Sequence, residues 1–287
     1  MPTIHVRSID INYEEYGAPA DPPLLMAHGL MGSIAAMRQF AERPEAIATR
    51  GLHVIAYDAR GHGHSGYTKS RADNRWAALG DDMFALIGAL GLGKTSIYGG
   101  SMGAGTALIC ALNHPDAVDK LILMSPPPFG AQAKVAKQYF GGLSVLFQLF
   151  GPKLTARIVM LFPQAKKSQR SSPQHDLRGF FTSQRRASVV PAIRGLLFDP
   201  PGLPVDRFSE IQQQTLILTH PDDPVHPLAA GDILYEKMPH ARLAVAPTAP
   251  YWQENPDALT HVVAAFVKGE PVAQGLPSKI AHEHVPS

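Results

Sequence analysis

The residue best placed to do chemistry in this chain is a serine flanked by glycines. The segment Gly99-Gly100-Ser101-Met102-Gly103 follows a short β-type run, Ser96–Tyr98, and precedes a helical pattern, Met102–Asn113. A serine at such a strand-to-helix turn projects its hydroxyl from the sheet edge, and its small neighbours let the strand and the helix pack closely. The helix N-terminus also favours negative charge that develops beside the serine. We therefore interpret Ser101 as a nucleophile.

A second glycine-rich segment is suited to stabilise an oxyanion. His28-Gly29-Leu30-Met31-Gly32 follows the apolar run Leu24–Ala27. A backbone N–H from such a loop acts together with the N–H of the residue after the nucleophile. We predict Leu30 and Met102 as the two donors. Gly29 gives the backbone room to turn and is expected to border the substrate.

A third segment, Asp58–Ser65, combines glycines, charges and histidines. Four histidines lie in this part of the sequence: His28, His53, His62 and His64. Their spacing does not provide the carboxylate or cysteine set that is typical of closed metal sites. We therefore predict a structured turn here, and we expect neither a metal ion nor another cofactor.

Bulk composition points to an ordinary globular protein. The chain has 287 residues, of which 45% are hydrophobic and 17% charged, enough for one core with a subdomain. A net charge of +2 does not indicate a nucleic-acid partner. The single cysteine, Cys110, lies in an apolar stretch and favours a reducing compartment. No apolar run reaches the roughly 18 residues of a membrane span. We expect a soluble, cytoplasmic protein, either a monomer or a homodimer.

The order of the predicted elements defines the fold class. Short β-type runs alternate with longer helical patterns, which predicts an α/β fold with a mostly parallel sheet and helices on both faces. The strand runs are Thr3–Val6, Ile11–Tyr16, Leu24–Ala27, His53–Tyr57, Ser96–Tyr98, Lys120–Met124, Thr215–Thr219 and Arg242–Ala246. The clearest helical patterns are Ala77–Leu92, Met102–Asn113, Pro227–Met238 and Pro256–Lys268.

The alternation of strands and helices stops in the middle of the chain. Several helical segments broken by prolines occupy residues 129–207, between two strand runs. We predict a core domain from residues 1–128 and 208–268, with 129–207 as an inserted helical cap. The remaining residues, 269–287, are rich in Pro, Ser and His, and we expect a poorly ordered tail.

Three motifs in order give the chain a specific resemblance. They are His28-Gly29, Asp58-x-Arg-Gly-x-Gly-x-Ser65 and Gly99-x-Ser101-x-Gly103. Over about residues 3 to 268 the chain resembles the α/β-hydrolase superfamily, in the branch with esterases, lactonases, carbon–carbon bond hydrolases and cofactor-free haloperoxidase-like enzymes. The resemblance implies that the insertion is the family's cap. It also implies an acid after the first strand beyond the cap and a histidine after the last strand.

The acid implied by the resemblance is found directly. The run Thr215–Thr219 leads into His220-Pro-Asp-Asp-Pro-Val-His-Pro227, where the family pattern selects Asp223, with Asp222 as the runner-up. His220 stands where the family usually has glycine. The acid would orient the catalytic histidine and stabilise its charged form.

The implied histidine is missing. Counting back from Glu254 and Pro256 places it at position 249, where the chain has Ala249, and a slip of one residue gives Pro250. The other histidines considered are poorly placed by sequence: His240, His261, His282 and His284. Three explanations stay open: a deliberate replacement by alanine, a natural non-hydrolytic relative, or a histidine supplied from elsewhere. We predict that the chain is nearly inactive and that Ala249→His restores hydrolysis.

The cap is strongly basic. Between Ala131 and Pro200 the chain has eleven Lys and Arg residues and two acidic residues. Such a surface is either a solvated helical face or a means of attracting an anionic ligand. For the second case we predict that an arginine binds a substrate carboxylate. The candidate substrate contacts are Arg185, Arg186, Arg194 and Trp252.

These features together predict a serine hydrolase that acts on a small-molecule carboxylic ester. An anionic amphipathic ester, such as a monoalkyl phthalate, would suit a basic cap. Carbon–carbon bond hydrolysis and lactone hydrolysis use the same site and stay as alternatives. Haloalkane dehalogenases and epoxide hydrolases use a carboxylate nucleophile, so Ser101 argues against both. A non-catalytic ligand-binding protein on the same fold is the alternative from another class.

Overall fold

The protein is built around one twisted sheet. A computed structural model describes residues 2–39, 42–163, 165–166, 176–272 and 280–283. Within these residues the sheet has nine strands in the order β1-β2-β4-β3-β5-β6-β7-β8-β9. They are β1 Thr3–Val6, β2 Ile9–Tyr16, β3 Pro23–Ala27, β4 His53–Tyr57, β5 Thr95–Gly100, β6 Val118–Met124, β7 Gln214–Thr219, β8 Ala241–Val245 and β9 Ile280–Glu283. Strands β3 to β8 are parallel, so the predicted mostly parallel sheet is confirmed.

Helices cover both faces of the sheet. The helices are α1 Ile34–Gln39, α2 Pro44–Ala48, α3 Trp76–Ala89, α4 Met102–Asn113, α5 Lys134–Val159, α6 Leu177–Thr182, α7 Arg186–Leu197, α8 Leu228–Lys237, α9 Tyr251–Glu254 and α10 Pro256–Lys268. Of these, α5, α6 and α7 lie between β6 and β7 and pack against one another. Alternate residues of each central strand enter opposite cores: Ile97 packs with α3 and α4, whereas Tyr98 packs with α2 and α10. Parallel strands buried on both faces explain the continuous apolar runs in the sequence.

The described residues between β6 and β7 form helices joined by short loops, with no strand among them. Helices α5, α6 and α7 share an apolar cluster that includes Phe147, Phe181 and Ile193, and Met31 of the core packs into it. Helix α5 spans 26 residues. It is interrupted at Gly151, which has a φ of 68° and is followed by Pro152. In the described part of the chain, no helix combines the length and apolarity needed to cross a membrane. The exact division into core and cap stays a prediction.

The C-terminal segment contributes one strand to the sheet. Ile280–Glu283 forms β9 and pairs antiparallel with β8. Without β9, strand β8 would be an open edge with unpaired backbone N–H and C=O groups, and such edges readily accept another strand. The expectation of a poorly ordered tail over residues 269–287 stays a prediction. Residues 273–279 and 284–287 lie outside the described part of the chain.

Candidate active site

Ser101 lies in a sharp turn at the carboxyl end of β5. Its φ of 49° and ψ of −106° lie outside the regions that L-residues favour. Its N–H donates to the carbonyl oxygen of Met124 on the neighbouring strand, at 2.9 Å. A Cβ at Gly99 would lie 2.4 Å from the backbone of Gly103, and one at Gly103 would lie 2.2 Å from the carbonyl oxygen of Ala27. The turn therefore requires glycine at both positions.

A histidine is hydrogen-bonded to this serine. The Oγ of Ser101 lies 2.7 Å from Nε2 of His226, and Nδ1 of His226 lies 2.8 Å from Oδ2 of Asp223. Because a carboxylate only accepts hydrogen bonds, Nδ1 carries the proton and Nε2 is free to accept from the serine hydroxyl. The three side chains have the connectivity of a serine–histidine–acid triad.

The prediction that Ser101 has no histidine partner is therefore wrong. Ala249 lies in the turn after β8, whereas the partner comes from the loop after β7. Strands β7 and β8 are parallel neighbours, so their carboxyl ends reach the same edge of the sheet. Of the three explanations, the structure agrees with a histidine supplied from elsewhere. In the sequence, His226 lies in the motif that selects Asp223, and the family resemblance assigns it no catalytic role.

The loop that carries His226 is organised by Asp223. Its Oδ1 accepts the backbone N–H groups of Val225 and His226, at 2.8 and 3.1 Å, while its Oδ2 accepts the His226 ring. Burial alone would raise the pKa of Asp223, but the hydrogen bond and charge of His226, together with these N–H groups, hold it well below its usual range. The carboxylate is therefore ionised, as an orienting acid must be.

The two other candidates in this loop have different surroundings. Asp222, the runner-up acid, has a left-handed backbone with φ of 64° and forms the turn. Nε2 of His220 lies 3.9 Å from Oδ2 of Asp223, too far for a hydrogen bond. Asp223 is thus the residue whose carboxylate bonds the His226 ring.

The predicted oxyanion segment passes beside Ser101. A Cβ at Gly29 would lie 3.4 Å from Cβ of Ser101, and Met102 is the first residue of α4. His28 fixes this segment, because its Nδ1 donates to the carbonyl of Gly29 at 2.7 Å and its Nε2 accepts the N–H of Ala59 at 3.0 Å. Burial lowers the pKa of His28, so the ring stays neutral.

Comparison with known proteins identifies the family. The sequence model of a protein family described as the alpha/beta hydrolase fold matches residues 22–252. This chain belongs to the α/β-hydrolase family. RutD of Caulobacter sp. (strain K31), provisionally named a carbamate hydrolase, is 29% identical over 90% of this chain and 96% of its own. A 2-hydroxy-6-oxononadienedioate/2-hydroxy-6-oxononatrienedioate hydrolase of Burkholderia vietnamiensis is 25% identical over 90% of this chain and 91% of its own.

A solved structure agrees with this assignment at the level of the fold. The enol-lactonase from Burkholderia xenovorans LB400 superposes with a TM-score of 0.78 at 20% sequence identity. The superposition covers 93% of this chain and 100% of the enol-lactonase chain. At this identity the similarity supports the fold of the chain.

The histidines near Asp58 have structural roles in this hydrolase. Nδ1 of His62 bonds the carbonyl of Arg60. Burial is the larger cause that lowers the pKa of His62 to about 3, and the neighbouring His28 adds to it. His53 pairs with Glu15 at 3.0 Å. Among the described residues, no group of three or more His, Cys, Asp or Glu is placed to hold a metal ion.

The predicted substrate contacts of the cap have other partners. Arg185 donates to the carbonyls of Gly63 and Ser65, at 2.9 and 2.8 Å, and so connects the segment between β6 and β7 to the turn after β4. Nε of Arg194 donates to Ser144 Oγ within the cap, at 3.1 Å.

The remaining two candidates lie apart from one another. Arg186 lines a surface groove with Arg71 and Gln148. Trp252 is 3% exposed and packs in the core, which argues against contact with a substrate. Charge and aromaticity indicate these side chains, but tertiary packing decides where they point, and no local sequence pattern reveals it.

Proposed function

We propose that this protein is a serine hydrolase of carboxylic esters that uses Ser101, His226 and Asp223 as its catalytic triad. The observation that carries the proposal is the continuous hydrogen-bonded series from Ser101 Oγ through the His226 ring to Asp223, with links of 2.7 and 2.8 Å. A neutral imidazole that accepts from a serine hydroxyl is the arrangement that activates serine as a nucleophile.

The first half of the reaction forms an acyl-enzyme. Oγ of Ser101 attacks the ester carbonyl while its proton passes to Nε2 of His226. The carbonyl oxygen becomes an oxyanion, which the N–H groups of Leu30 and Met102 stabilise. When the tetrahedral intermediate collapses, His226 returns the proton to the departing alkoxide, and the alcohol leaves.

The second half repeats these steps with water. His226 removes a proton from a water molecule as the oxygen attacks the acyl carbon. Collapse of the second tetrahedral intermediate returns this proton to Ser101 and releases the carboxylic acid. Asp223 stays ionised throughout and stabilises the imidazolium in both halves.

The structure gives no support to an anionic substrate requirement. Arg185 and Arg194, which were expected to bind a substrate carboxylate, donate to protein groups. We therefore propose a carboxylic ester without a required acidic group, and these contacts give no reason to expect a monoalkyl phthalate.

Covalent labelling tests the proposal directly. A fluorophosphonate probe should label the native chain at Ser101, should label Ser101→Ala not at all, and should label His226→Ala far more slowly. His240→Ala is a matched control, because His240 is an exposed histidine at the opposite end of β8. Labelling that is unaffected by His226→Ala would contradict the triad, and absence of labelling in the native chain would favour a binding protein.

A substrate panel then identifies the bond that is cleaved. Short-chain and medium-chain p-nitrophenyl esters, a γ-lactone and a vinylogous diketone present the same serine with different acyl groups. Turnover of the linear esters with Ser101-dependent kcat/KM supports the proposal. Turnover confined to the lactone or to the diketone would replace it with one of the other activities of this site.

A further inference from the structure

The outer surface of the cap is unusually apolar for a surface exposed to water. In the described part of the chain, eleven large apolar side chains are exposed, and nine of them lie between residues 135 and 198. They are Val135, Tyr139, Val145, Leu149, Phe150, Leu154, Leu161, Phe162 and Phe198. Single exposed apolar residues are ordinary, but a concentration of them on one element marks a surface that binds something.

Helix α5 carries most of this surface. Val135, Tyr139, Val145 and Leu149 recur at helical spacing on one side and are 44% to 64% exposed. Another side of the same helix is apolar as well, and its Phe147 is fully buried in the cap. Packing within the cap therefore accounts for one apolar side of α5 and leaves the outer side without a partner among the described residues.

The charge of α5 is one-sided. The helix contains Lys134, Lys137, Lys153 and Arg157 and no acidic residue. Lys134 and Lys137 also line a groove of about 910 Å³ beside the exposed apolar residues, together with Arg71 and Arg194. Arg71 is paired with Asp199, but no acidic side chain is among the described residues that line this groove. The groove and the apolar side share Val145, and the groove extends to Phe198.

The combination of exposed apolar and basic side chains distinguishes between two possible binding partners, a second copy of the chain and a lipid bilayer. In a twofold dimer through this face, both subunits would present the same basic side chains, and α5 has no acidic residue to pair with them. An anionic bilayer offers the complementary chemistry, because its headgroups attract the cations while the apolar side chains enter the acyl boundary. The charge of the face therefore favours a lipid surface over a second copy.

We propose that this face of the cap, formed by the outer side of α5 with Phe198, docks on the surface of an anionic phospholipid bilayer. Lys134, Lys137 and Arg194 bind phosphate headgroups along the groove, and Val145 and Leu149 insert beside them. The proposal concerns peripheral attachment, and it does not depend on the chemistry at Ser101.

Vesicle co-sedimentation tests the proposal with the full chain. Vesicles of equimolar phosphatidylcholine and phosphatidylglycerol should bind the protein, and vesicles of phosphatidylcholine alone should bind it much more weakly. Binding should fall as salt rises, because the headgroup attraction is screened. Ser101→Ala should bind like the native chain, which separates this result from the fate of the proposed hydrolase activity.

Paired variants localise the surface. Lys134→Gln and Lys137→Gln should each lower the partition coefficient about five-fold, and Leu149→Ser about ten-fold. The matched controls are Lys94→Gln, at the amino end of β5, and Phe84→Ser, on the exposed side of α3. Each control should change binding by less than about two-fold. Lys94 carries a charge that is screened at a distance from the bilayer, and Phe84 lies on α3 and not on the proposed docking face.

Three outcomes would overturn the proposal. The first is absence of binding to the phosphatidylglycerol vesicles. The second is an equal loss with Lys94→Gln and Lys134→Gln, which would indicate attraction by net charge alone. The third is a dimer in light scattering that Leu149→Ser dissociates, which would assign the face to a second copy of the chain.

Discussion

Two segments that follow neighbouring strands differ in what they contribute to the site. Residues 220–227 follow β7 and bring both Asp223 and His226 to Ser101, whereas residues 247–255 follow β8 and present Ala249 at the corresponding edge. Because β7 and β8 are parallel and adjacent, both segments start from the same side of the sheet. The comparison teaches that the sheet edge determines which groups can meet, and that the order of the loops along the chain does not.

The β7 segment also orders itself. Asp223 accepts the N–H groups of Val225 and His226 and bonds the His226 ring, so one carboxylate fixes both the turn and the imidazole. A short Asx-type turn of this kind is locally stable. Acid and histidine on separate loops would require two segments to be positioned independently. The single loop places the pair with fewer ordered residues.

The largest test of this comparison is removal of the histidine from the β7 segment. His226→Ala should lower kcat/KM for a p-nitrophenyl ester by about 10⁶-fold, because the serine loses its general base. Steady-state assays with His240→Ala as the control measure the effect. A loss of less than ten-fold would show that another group acts as the base.

The acid of the β7 segment should have the next largest effect. Asp223→Asn should lower kcat by about 10⁴-fold, because the amide NH₂ would face Nδ1 and favour the tautomer that cannot accept from Ser101. Asp222→Asn tests the neighbouring carboxylate with the same chemical change and should stay within about three-fold of the native value. Equal losses in the two variants would contradict the assignment of Asp223.

The turn itself is tested at Asp222. Its φ of 64° is accessible to glycine and to aspartate but poorly accessible to β-branched residues. Asp222→Val should therefore lower the free energy of unfolding by about 1–2 kcal/mol, while Asp222→Gly should change it by less than about 0.5 kcal/mol. Urea denaturation of both variants measures this difference, and equal stabilities would argue against a left-handed residue here.

Acid denaturation should reveal how much the Asp223–His226 pair contributes to the stability of the folded state. The pKa of Asp223 is lowered in the folded state, so the unfolded chain binds more protons below about pH 4 and native stability falls there. Asp223→Asn lacks this contribution and should lose less stability between neutral and acidic pH. Because the carboxylate is partly exposed, the difference should be about 1 kcal/mol or less. A parallel loss in both proteins would show that the Asp223–His226 pair adds nothing to stability.

The smallest effect is expected in the β8 segment. Ala249→His should leave kcat/KM within about two-fold of the native value, because His226 already serves Ser101. A large gain would show that His226 is not the working base and would return that role to the position after β8.

Much of the fold could be predicted from the sequence. The bounds of α4 and α10 were predicted at both ends, and each of the eight predicted strand runs overlaps an observed strand. Alternating strands and helices produce strong periodic patterns, and Gly99 and Gly103 reveal the turn because no other residue fits there. Strand β9 was missed, since four residues between Pro-rich stretches carry little pattern and depend on β8 for their pairing.

The site was harder to predict than the fold. Ser101 and Asp223 follow strands at recognisable turns, but His226 was overlooked because family order placed the histidine after β8. A local signal existed: a histidine three residues after the acid in one short turn can reach its carboxylate. Trp252 and Arg185 show the opposite limit, because composition identifies such side chains but packing decides which way they point.

The placement of acid and base within one loop has a consequence for how this hydrolase can vary. Both groups lie in a contiguous peptide of four residues, from Asp223 to His226, so a change in the length of another loop leaves their spacing along the chain intact. The connection between β8 and α9 carries neither group. It is therefore the part of this sheet edge where insertions, shortened turns or new chain termini interfere least with the pair that serves Ser101.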